Sequence, residues 1–360
     1  MRNSFIVGIL IFLLVLENNL PLKYLGFLLT FVVFFIFLLK GKFKFSKTKF
    51  KSLSLLYIPF FYSILLSLGC ASMHYMVLIT LFMKLFVGYI IYLFFSIDDI
   101  AKGIKFAIFS HCGIFLVHIL FLLLGQGSVF NQIVGFEAQT TFGGSSYIPF
   151  RATGFFDEPS LFGMTILCLM LSYFFLKNKF FLISIPFLSF SFPTMLVAST
   201  FILNKIKQFS IFFRVLFFMI FLCVLGLLVL FAKDREANVK DSPVGLRTTH
   251  LIFLAQSPNL IKGSGFCSAY GTFPLNLGRD DLRSNGLGNF KDAGQIIYTS
   301  DRIGLAGMFV MCLFLLFFLG KKRFSFFIVY FGLSKVPLIA MVTIILFSSI
   351  SSYRKIKRKY

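Results

Sequence analysis

The sequence predicts an all-α, polytopic integral membrane protein with about twelve transmembrane helices. Hydrophobic residues make up 58% of the chain and its mean hydropathy is +0.91, a composition foreign to a soluble domain. Apolar runs of about 20 residues, long enough to cross a bilayer as a helix, recur along the chain. Lysine and arginine collect between those runs, as they do in cytoplasmic loops. The net charge of +22 is therefore explained by membrane topology and indicates no nucleic-acid partner.

The first two apolar runs and the polar segment after them set the orientation of the chain. Residues 1–16 resemble a signal peptide, but no small-residue cleavage site follows, so a retained first helix is predicted. Residues 20–39 are the second span. Six lysines then follow between residues 40 and 51, and they place this segment in the cytoplasm. Both termini are predicted on that side.

The later spans alternate in direction from that marker. They are predicted, in chain order, at 53–70, 76–96, 106–124, 159–176, two short helices within 180–204, 209–231, 303–319, 324–334 and 336–351. The segment 180–204 is too long for one span, and a hairpin at Pro193 keeps Lys205 and Lys207 on the cytoplasmic side. A short cytoplasmic turn is predicted at 98–105.

Two long polar segments on the outer side divide the chain into five regions. These are the N-terminal membrane helices (1–124), the first large loop (125–158), the central membrane helices (159–231), the second large loop (232–302), and the C-terminal membrane helices with a basic cytoplasmic tail (303–360). The six cysteines show neither metal-ligand spacing nor a disulfide framework, so no metal and no cofactor are predicted.

The end of the first loop, residues 151–160, concentrates charge at a membrane boundary, where charge is unfavourable unless it has a role. Pro159 suits the first turn of the following helix, and Glu158 suits the positive end of that helix. Gly154 permits a sharp turn. Arg151 is therefore predicted to stand above the outer mouth of a helix, facing a polar space. The alternative is a loop anchor that reaches lipid head groups.

The second loop holds a predicted amphipathic helix that begins at Pro243. Arg247 and His250 lie three residues apart on it and share a face. The alternatives are that Arg247 is an ordinary exposed charge and that His250 is structural. His250 is the only histidine in the two large outer loops, because His74 lies near a short outer turn and His111 and His118 fall within a membrane span.

A glycine turn and two aspartates follow in the same loop. The turn at Gly263 and Gly265 is predicted to offer free backbone N–H groups, as phosphate-binding turns do, although this signal alone is weak. Asp292 and Asp301 close the loop before the next span, and Asp301 with Arg302 could form an interfacial ion pair.

These motifs, in this order and with this two-loop layout, resemble the O-antigen polymerases within the O-antigen ligase/polymerase superfamily. The pattern Arg151-x-x-Gly-x-x-x-Glu-Pro-Ser160 resembles the end of the family's first large periplasmic loop. Arg247, fifteen residues and Gly263 resemble the Arg-x15-Gly pattern of its second. Gly304-x-x-Gly307 resembles the glycine pair at which the next span begins. The resemblance covers the whole chain in topology and about thirty residues in motif.

This chain departs from the family pattern at two points. The residue sixteen positions after Arg151 is Leu167, so the first loop lacks the exact spacing of the second. The related ligases place a histidine shortly before the glycine pair, whereas this chain has Asn289, Lys291 and Asp292 there. This difference favours a polymerase over a ligase.

The resemblance implies a GT-C-like glycosyltransferase that joins polyprenyl-pyrophosphate-linked oligosaccharides in lipopolysaccharide biosynthesis. Arg151 and Arg247 would bind the donor diphosphate, since a guanidinium pairs with phosphate oxygens and stays charged. A hydroxyl of the lipid-linked acceptor would attack the anomeric carbon with inversion. Asp292 is the first candidate for the catalytic base and His250 the second. Glu158, the third candidate, is expected rather to orient Arg151.

The resemblance also implies the setting and the partners. The protein would be a multi-pass component of the bacterial cell inner membrane, in contact with lipid and with donor and acceptor oligosaccharides. A chain-length regulator and a flippase are the expected protein partners. The rival functions are an O-antigen ligase, which transfers polymer to lipid A–core, and a lipid-linked oligosaccharide flippase. A flippase is expected to line its interior with charges, whereas only Lys84 lies deep within a predicted span.

Overall fold

Every regular element that the computed structural model describes is an α-helix, which confirms the all-α prediction for that part of the chain. The described residues are 2–16, 19–41, 46–68, 75–134, 152–156, 158–177, 189, 191–206, 211, 219, 226, 254–265, 295–334, 336 and 340–357. The helices are α1 (Arg2–Leu14), α2 (Leu20–Leu39), α3 (Lys47–Leu68), α4 (Tyr75–Phe94), α5 (Ile97–Leu123), α6 (Gly127–Val134), α7 (Pro159–Lys177), α8 (Phe192–Ile206), α9 (Gln295–Leu319), α10 (Lys321–Leu333) and α11 (Met341–Lys357).

Six helices in the described ranges are long and apolar enough to cross a membrane. Their apolar stretches are Pro21–Leu39, Lys47–Leu68, Val77–Phe94, Ile97–Leu123, Pro159–Lys177 and Gln295–Leu319. Three shorter apolar helices accompany them, at Asn3–Leu14, Arg323–Leu333 and Met341–Ser352. The chain is therefore a multi-pass membrane protein. The predicted span at 209–231 lies almost entirely outside the described residues.

Helix α7 lies at the centre of the bundle, between α5, α8 and α11. Its sequence is apolar on all sides and nearly all its side chains are buried, as expected of a helix enclosed by other helices. Helix α11 is buried along most of its length and packs against α3, α4 and α7. The Sγ of Cys168 in α7 donates to the carbonyl of Val342 in α11 at 3.5 Å.

Small hydroxyl residues in the middle of α11 join it to the N-terminal half of the chain. The hydroxyls of Tyr57 in α3 and Ser348 in α11 are 2.6 Å apart. Tyr92 in α4 donates to the carbonyl of Ile345 at 2.9 Å, and its hydroxyl lies 2.5 Å from that of Ser349. These side chains are buried, and small serines allow the helices to approach closely.

Ring contacts between helices establish their relative directions. Helices α1 and α5 are parallel, because Phe5 meets Phe106 at 5.3 Å and Phe12 meets His111 at 4.4 Å. Helices α2 and α4 are also parallel, with successive phenylalanines of one against those of the other. Helix α3 is antiparallel to α4, since Lys49 at its start donates to the carbonyl of Tyr92 near the end of α4.

The bundle consequently has two distinct ends. One, which we call the lysine end, is defined by Lys49, Asp98 and Lys177, and an ion pair between the last two joins the start of α5 to the end of α7. The other, the glycine end, is defined by Gly154, Gly265 and Gly304. There the N–H of Gln295 donates to the carbonyl of Ser334 at 2.8 Å, joining the start of α9 to the end of α10.

The start of α8 agrees with the predicted break at Pro193, which occupies the second position of that helix. Thr194 packs against Gly163 near the start of α7, where an added Cβ would lie 2.4 Å from the threonine Cγ2. Helix α8 therefore starts toward the glycine end. The short helix predicted before the hairpin lies at residues the structure does not describe.

The start of α5 corrects the sequence prediction. The segment 98–105 was expected to be a turn, but α5 runs unbroken over Ile97–Leu123. The Ser96 hydroxyl accepts a hydrogen bond from the N–H of Asp99 at 3.0 Å and so caps the helix. Asp98 lies in the first turn, where negative charge is favourable. Charge marked a membrane boundary here but not the end of a helix.

Cysteine labelling tests which end of the bundle faces outward. Single cysteines placed at Ser145 and Ser284 in a cysteine-free background are expected to react with a membrane-impermeant maleimide in intact spheroplasts, because both large loops are predicted outside. A cysteine at Lys40, which is exposed just after α2, is the control and should react only after lysis. Labelling of the loop cysteines only after lysis would invert the assignment.

Candidate functional site

The first motif lies at the glycine end, packed against the last turns of α5. Ala152, Thr153 and Gly154 are buried, and Gly154 has a φ of +61°, the left-handed conformation that glycine adopts readily. The backbone N–H groups of Thr153 and Gly154 both point at Nδ1 of His118, at 3.2 Å and 3.1 Å. The turn after Arg151 is thus attached to a membrane helix through one histidine nitrogen.

Helix α7 begins at Pro159, as the sequence predicts. The carbonyl of Glu158 accepts the first helical hydrogen bond, from the N–H of Phe162 at 3.2 Å. The carboxylate of Glu158 is half-buried and accepts a hydrogen bond from the Ser160 hydroxyl at 2.8 Å. This carboxylate is therefore held at the positive end of the helix, where negative charge is stabilised.

No role was predicted for His118 from the sequence. Its imidazole stacks on Phe130 of α6, with ring centroids 3.9 Å apart, and is fully buried. No spacing rule relates position 118 to positions 153 and 154, which lie 35 and 36 residues later. The one signal present was a histidine near the end of a largely apolar span, where polar residues tend to be functional.

The second motif is built around a break in α9. Gly304 has φ +69° and ψ 172°, so the helix that begins at Gln295 is interrupted there and resumes with Leu305. The segment 260–265 lies along the break. The N–H groups of Leu305 and Ala306 donate to the carbonyls of Leu260 and Ile261 at 2.9 Å and 3.0 Å. The backbone groups released by the break thus find new partners in the loop.

The glycine turn completes the same pairing. The N–H groups of Ser264 and Gly265 donate to the carbonyls of Asp301 and Arg302 at 2.8 Å and 3.0 Å. The N–H of Gly263 donates to the carbonyl of Asn259 at 2.7 Å. The prediction that this turn offers free N–H groups is therefore wrong, because the three N–H groups are engaged with protein carbonyls.

Close backbone contact explains why these positions are glycines. A Cβ on Gly263 would lie 2.5 Å from the nitrogen of Gly304, and one on Gly304 would lie 2.1 Å from the carbonyl oxygen of Ile261. A Cβ on Gly265 would lie 2.7 Å from the hydroxyl of Ser67 in α3. Gly263, Gly265 and Gly304 thus allow the loop to dock against α9 and α3.

Asp301 and Arg302 lie inside the protein rather than at an exposed interface. Both are almost fully buried, and the Arg302 Nε lies 3.7 Å from the Asp301 Oδ2. The Arg302 guanidinium stacks over Tyr298 at 5.1 Å and donates to the carbonyl of Gly265 at 2.7 Å. A charged donor to a buried carbonyl is a strong hydrogen bond, so this arginine fastens the glycine turn to α9.

The structure describes three of the seven site residues predicted from the sequence. Glu158, on α7, and the pair Gly263 and Gly265, beside α9, lie at the same end of the bundle. The other four lie outside the described residues and remain predictions: Arg151, Arg247, His250 and Asp292. The part of the chain that the structure describes holds no cluster of His, Cys, Asp or Glu suited to a metal ion.

The described part of the site consists of two turns held by backbone hydrogen bonds at the mouth of a helical bundle. Each turn follows one of the predicted arginines in the sequence, and each is attached to membrane helices. Such attachment favours precise placement of a binding group, because a loop fixed by rigid elements loses little freedom on binding.

Comparison of the chain with protein-family models, with curated proteins and with solved structures gives no match.

Proposed function

We propose that this protein is an O-antigen polymerase, which joins polyprenyl-pyrophosphate-linked repeat units outside the inner membrane. The observation that carries the proposal is that the described parts of both motif loops lie at one end of the bundle. Gly154 lies at the start of α7 and Gly263 beside the break in α9. A diphosphate at the membrane surface requires groups from both loops to meet at one depth.

The proposed architecture is GT-C-like, with about twelve spans, both termini in the cytoplasm and the glycine end facing the periplasm. The distribution of charge supports this orientation. Basic residues gather at the lysine end, where Lys49 donates to the end of α4 and Arg323 stacks over Phe174 at 5.5 Å. The inner membrane of a Gram-negative bacterium is the expected location.

In the proposed reaction, a hydroxyl oxygen of the acceptor unit bonds to the anomeric carbon of the donor as the bond from that carbon to the pyrophosphate oxygen breaks. The hydroxyl proton passes to a base, for which Asp292 is the first candidate and His250 the second. Arg151 and Arg247 stabilise the negative charge that builds on the leaving diphosphate. Glu158 orients Arg151, and Gly263 and Gly265 place the loop that carries Arg247.

A deletion strain tests this function through its lipopolysaccharide. Loss of a polymerase is expected to leave lipid A–core bearing a single repeat unit, because ligation proceeds without polymerisation. The measurement is a gel of lipopolysaccharide, with the complemented strain as control. Bare core together with accumulated lipid-linked polymer would identify a ligase instead. Unpolymerised units retained on the cytoplasmic face would identify a flippase.

A further inference from the structure

The hydrogen bonds between His118 and the first motif determine which nitrogen of the imidazole carries the proton. Two backbone N–H groups, from Thr153 and Gly154, converge on the same nitrogen, so Nδ1 presents its lone pair to them. The proton of the neutral ring is therefore on Nε2. His118 therefore accepts hydrogen bonds from two backbone N–H groups. Without it these groups would be buried without partners, and a buried, unpaired N–H group is strongly unfavourable.

The ring that supplies this acceptor is itself fixed in place. It stacks on Phe130 at 3.9 Å with planes 12° apart, and Phe130 also contacts Phe121 of α5. Helix α5 packs against α1 and α7, so the backbone that carries His118 belongs to the core of the bundle. The two N–H groups thus connect the turn after Arg151 to a rigid element through one nitrogen atom.

We propose that His118 is a positioning residue, which holds the 152–154 turn so that Arg151 enters the site at a set place. The proposal rests on the proposed function for its consequence, because Arg151 is the residue expected to bind the donor diphosphate. His118 itself touches neither substrate nor the reacting atoms. Its effect passes through the backbone of Thr153 and Gly154, and displacement of a binding group by about 1 Å can slow an enzyme a hundredfold.

Three substitutions at His118 distinguish the effect of its hydrogen-bond acceptor from the effect of its aromatic ring. His118→Phe keeps a ring to stack on Phe130 and removes the acceptor. His118→Asn removes the ring but places an amide oxygen close to the position of Nδ1, whereas His118→Gln carries its oxygen one bond farther out. His111→Phe is the matched control, because His111 is also a buried histidine of α5 stacked on a phenylalanine, Phe12. Its ring contacts Phe156 at 5.4 Å, a contact that phenylalanine can keep, but neither of its nitrogens bonds to the turn.

The first measurement is hydrogen exchange of peptides covering 152–158 in the full-length protein in detergent. His118→Phe is expected to speed exchange there about tenfold, and His118→Asn to restore much of the protection. His111→Phe should leave it unchanged. If His118→Phe unfolds the protein, slower exchange in the Asn variant than in the Gln variant carries the test. Unchanged exchange in a folded Phe variant, or equal exchange in the Asn and Gln variants, overturns the proposal.

The second measurement is the surface polysaccharide ladder at matched protein levels in the membrane. His118→Phe is expected to shorten the ladder strongly and His118→Asn to recover part of its length. A full-length ladder beside fast exchange would show that the contact does not position the site, and would overturn the proposal. If the deletion strain shows a ligase, the proposed function fails, but the exchange measurement still decides whether His118 holds the turn.

Discussion

Alanine at position 304 is expected to destabilise the protein more than alanine at any other positive-φ glycine in the described ranges. Its φ of +69° is unfavourable for any residue with a Cβ, at about 1–2 kcal/mol. The added Cβ would also lie 2.1 Å from the carbonyl oxygen of Ile261, a backbone atom that cannot rotate away. Relief of that clash requires segment 260–265 to leave the break in α9.

Loss of hydrogen bonds is expected to destabilise Gly304→Ala more than backbone strain does, because separation of segment 260–265 from α9 removes several hydrogen bonds at once. The bonds from Leu305, Ala306, Ser264 and Gly265 all span this contact. Each is worth about 1 kcal/mol, and a buried group left unpaired is unfavourable by about 1–3 kcal/mol. A total destabilisation of roughly 3 kcal/mol or more is therefore expected.

Gly320→Ala is the matched control for Gly304→Ala. Gly320 has a φ of +71°, yet an added Cβ there meets no atom within 4 Å. Gly320→Ala therefore measures the destabilisation caused by the positive φ alone. Thermal unfolding in detergent can be followed with a thiol-reactive fluorogenic dye, because Cys112 and Cys168 are buried until the protein unfolds. Equal losses of stability for the two variants would contradict the docking of the loop on α9.

Substitution of either predicted phosphate-binding arginine is expected to slow polymerisation by about one to two orders of magnitude. A charged hydrogen bond in a partly desolvated site contributes about 1.5–3 kcal/mol, and Arg151→Ala or Arg247→Ala would remove it from the transition state. Arg→Lys keeps the charge and loses the paired geometry, so shorter ladders with partial activity are expected. The measurement is the banding of surface polysaccharide at matched protein levels.

The double variant and two control arginines make this test specific. Removal of both Arg151 and Arg247 should reduce activity by less than the product of the single effects, because both serve one diphosphate. Arg279 and Arg283 share the second loop but belong to no motif, so their Ala variants should polymerise nearly normally. Wild-type ladders from both single variants would return the two arginines to the alternative role of interfacial anchors.

Hydropathy was sufficient to predict the six long apolar helices of the described residues, because a bilayer requires long apolar segments. Helix α7 begins at Pro159, as its sequence indicates. Charged residues were a less reliable guide to where helices begin and end. The charged residues at 98–105 were interpreted as a turn, although acidic residues after a serine cap also suit the start of α5.

The contacts made by each motif could not be predicted, because they depend on residues distant in sequence. The glycine turn at 263–265 has the local character of a phosphate-binding turn. Its N–H groups bond instead to Asp301, Arg302 and Asn259. The partner of the first motif, His118, is a single buried side chain, and its only signal in the sequence is its polarity near the end of a membrane span.

The hydrogen-bonding contacts of Ser348 and Ser349 in α11 bear on the biogenesis of the protein. The ribosome releases α11 after the other helices that the structure describes, yet its Ser348 and Ser349 supply partners for the hydroxyls of Tyr57 and Tyr92, which are made early. Until then these phenols face an apolar interior without those partners. Insertion of α11 thus supplies these two hydroxyls with their serine partners, and a nascent chain that lacks α11 leaves buried polar groups without them.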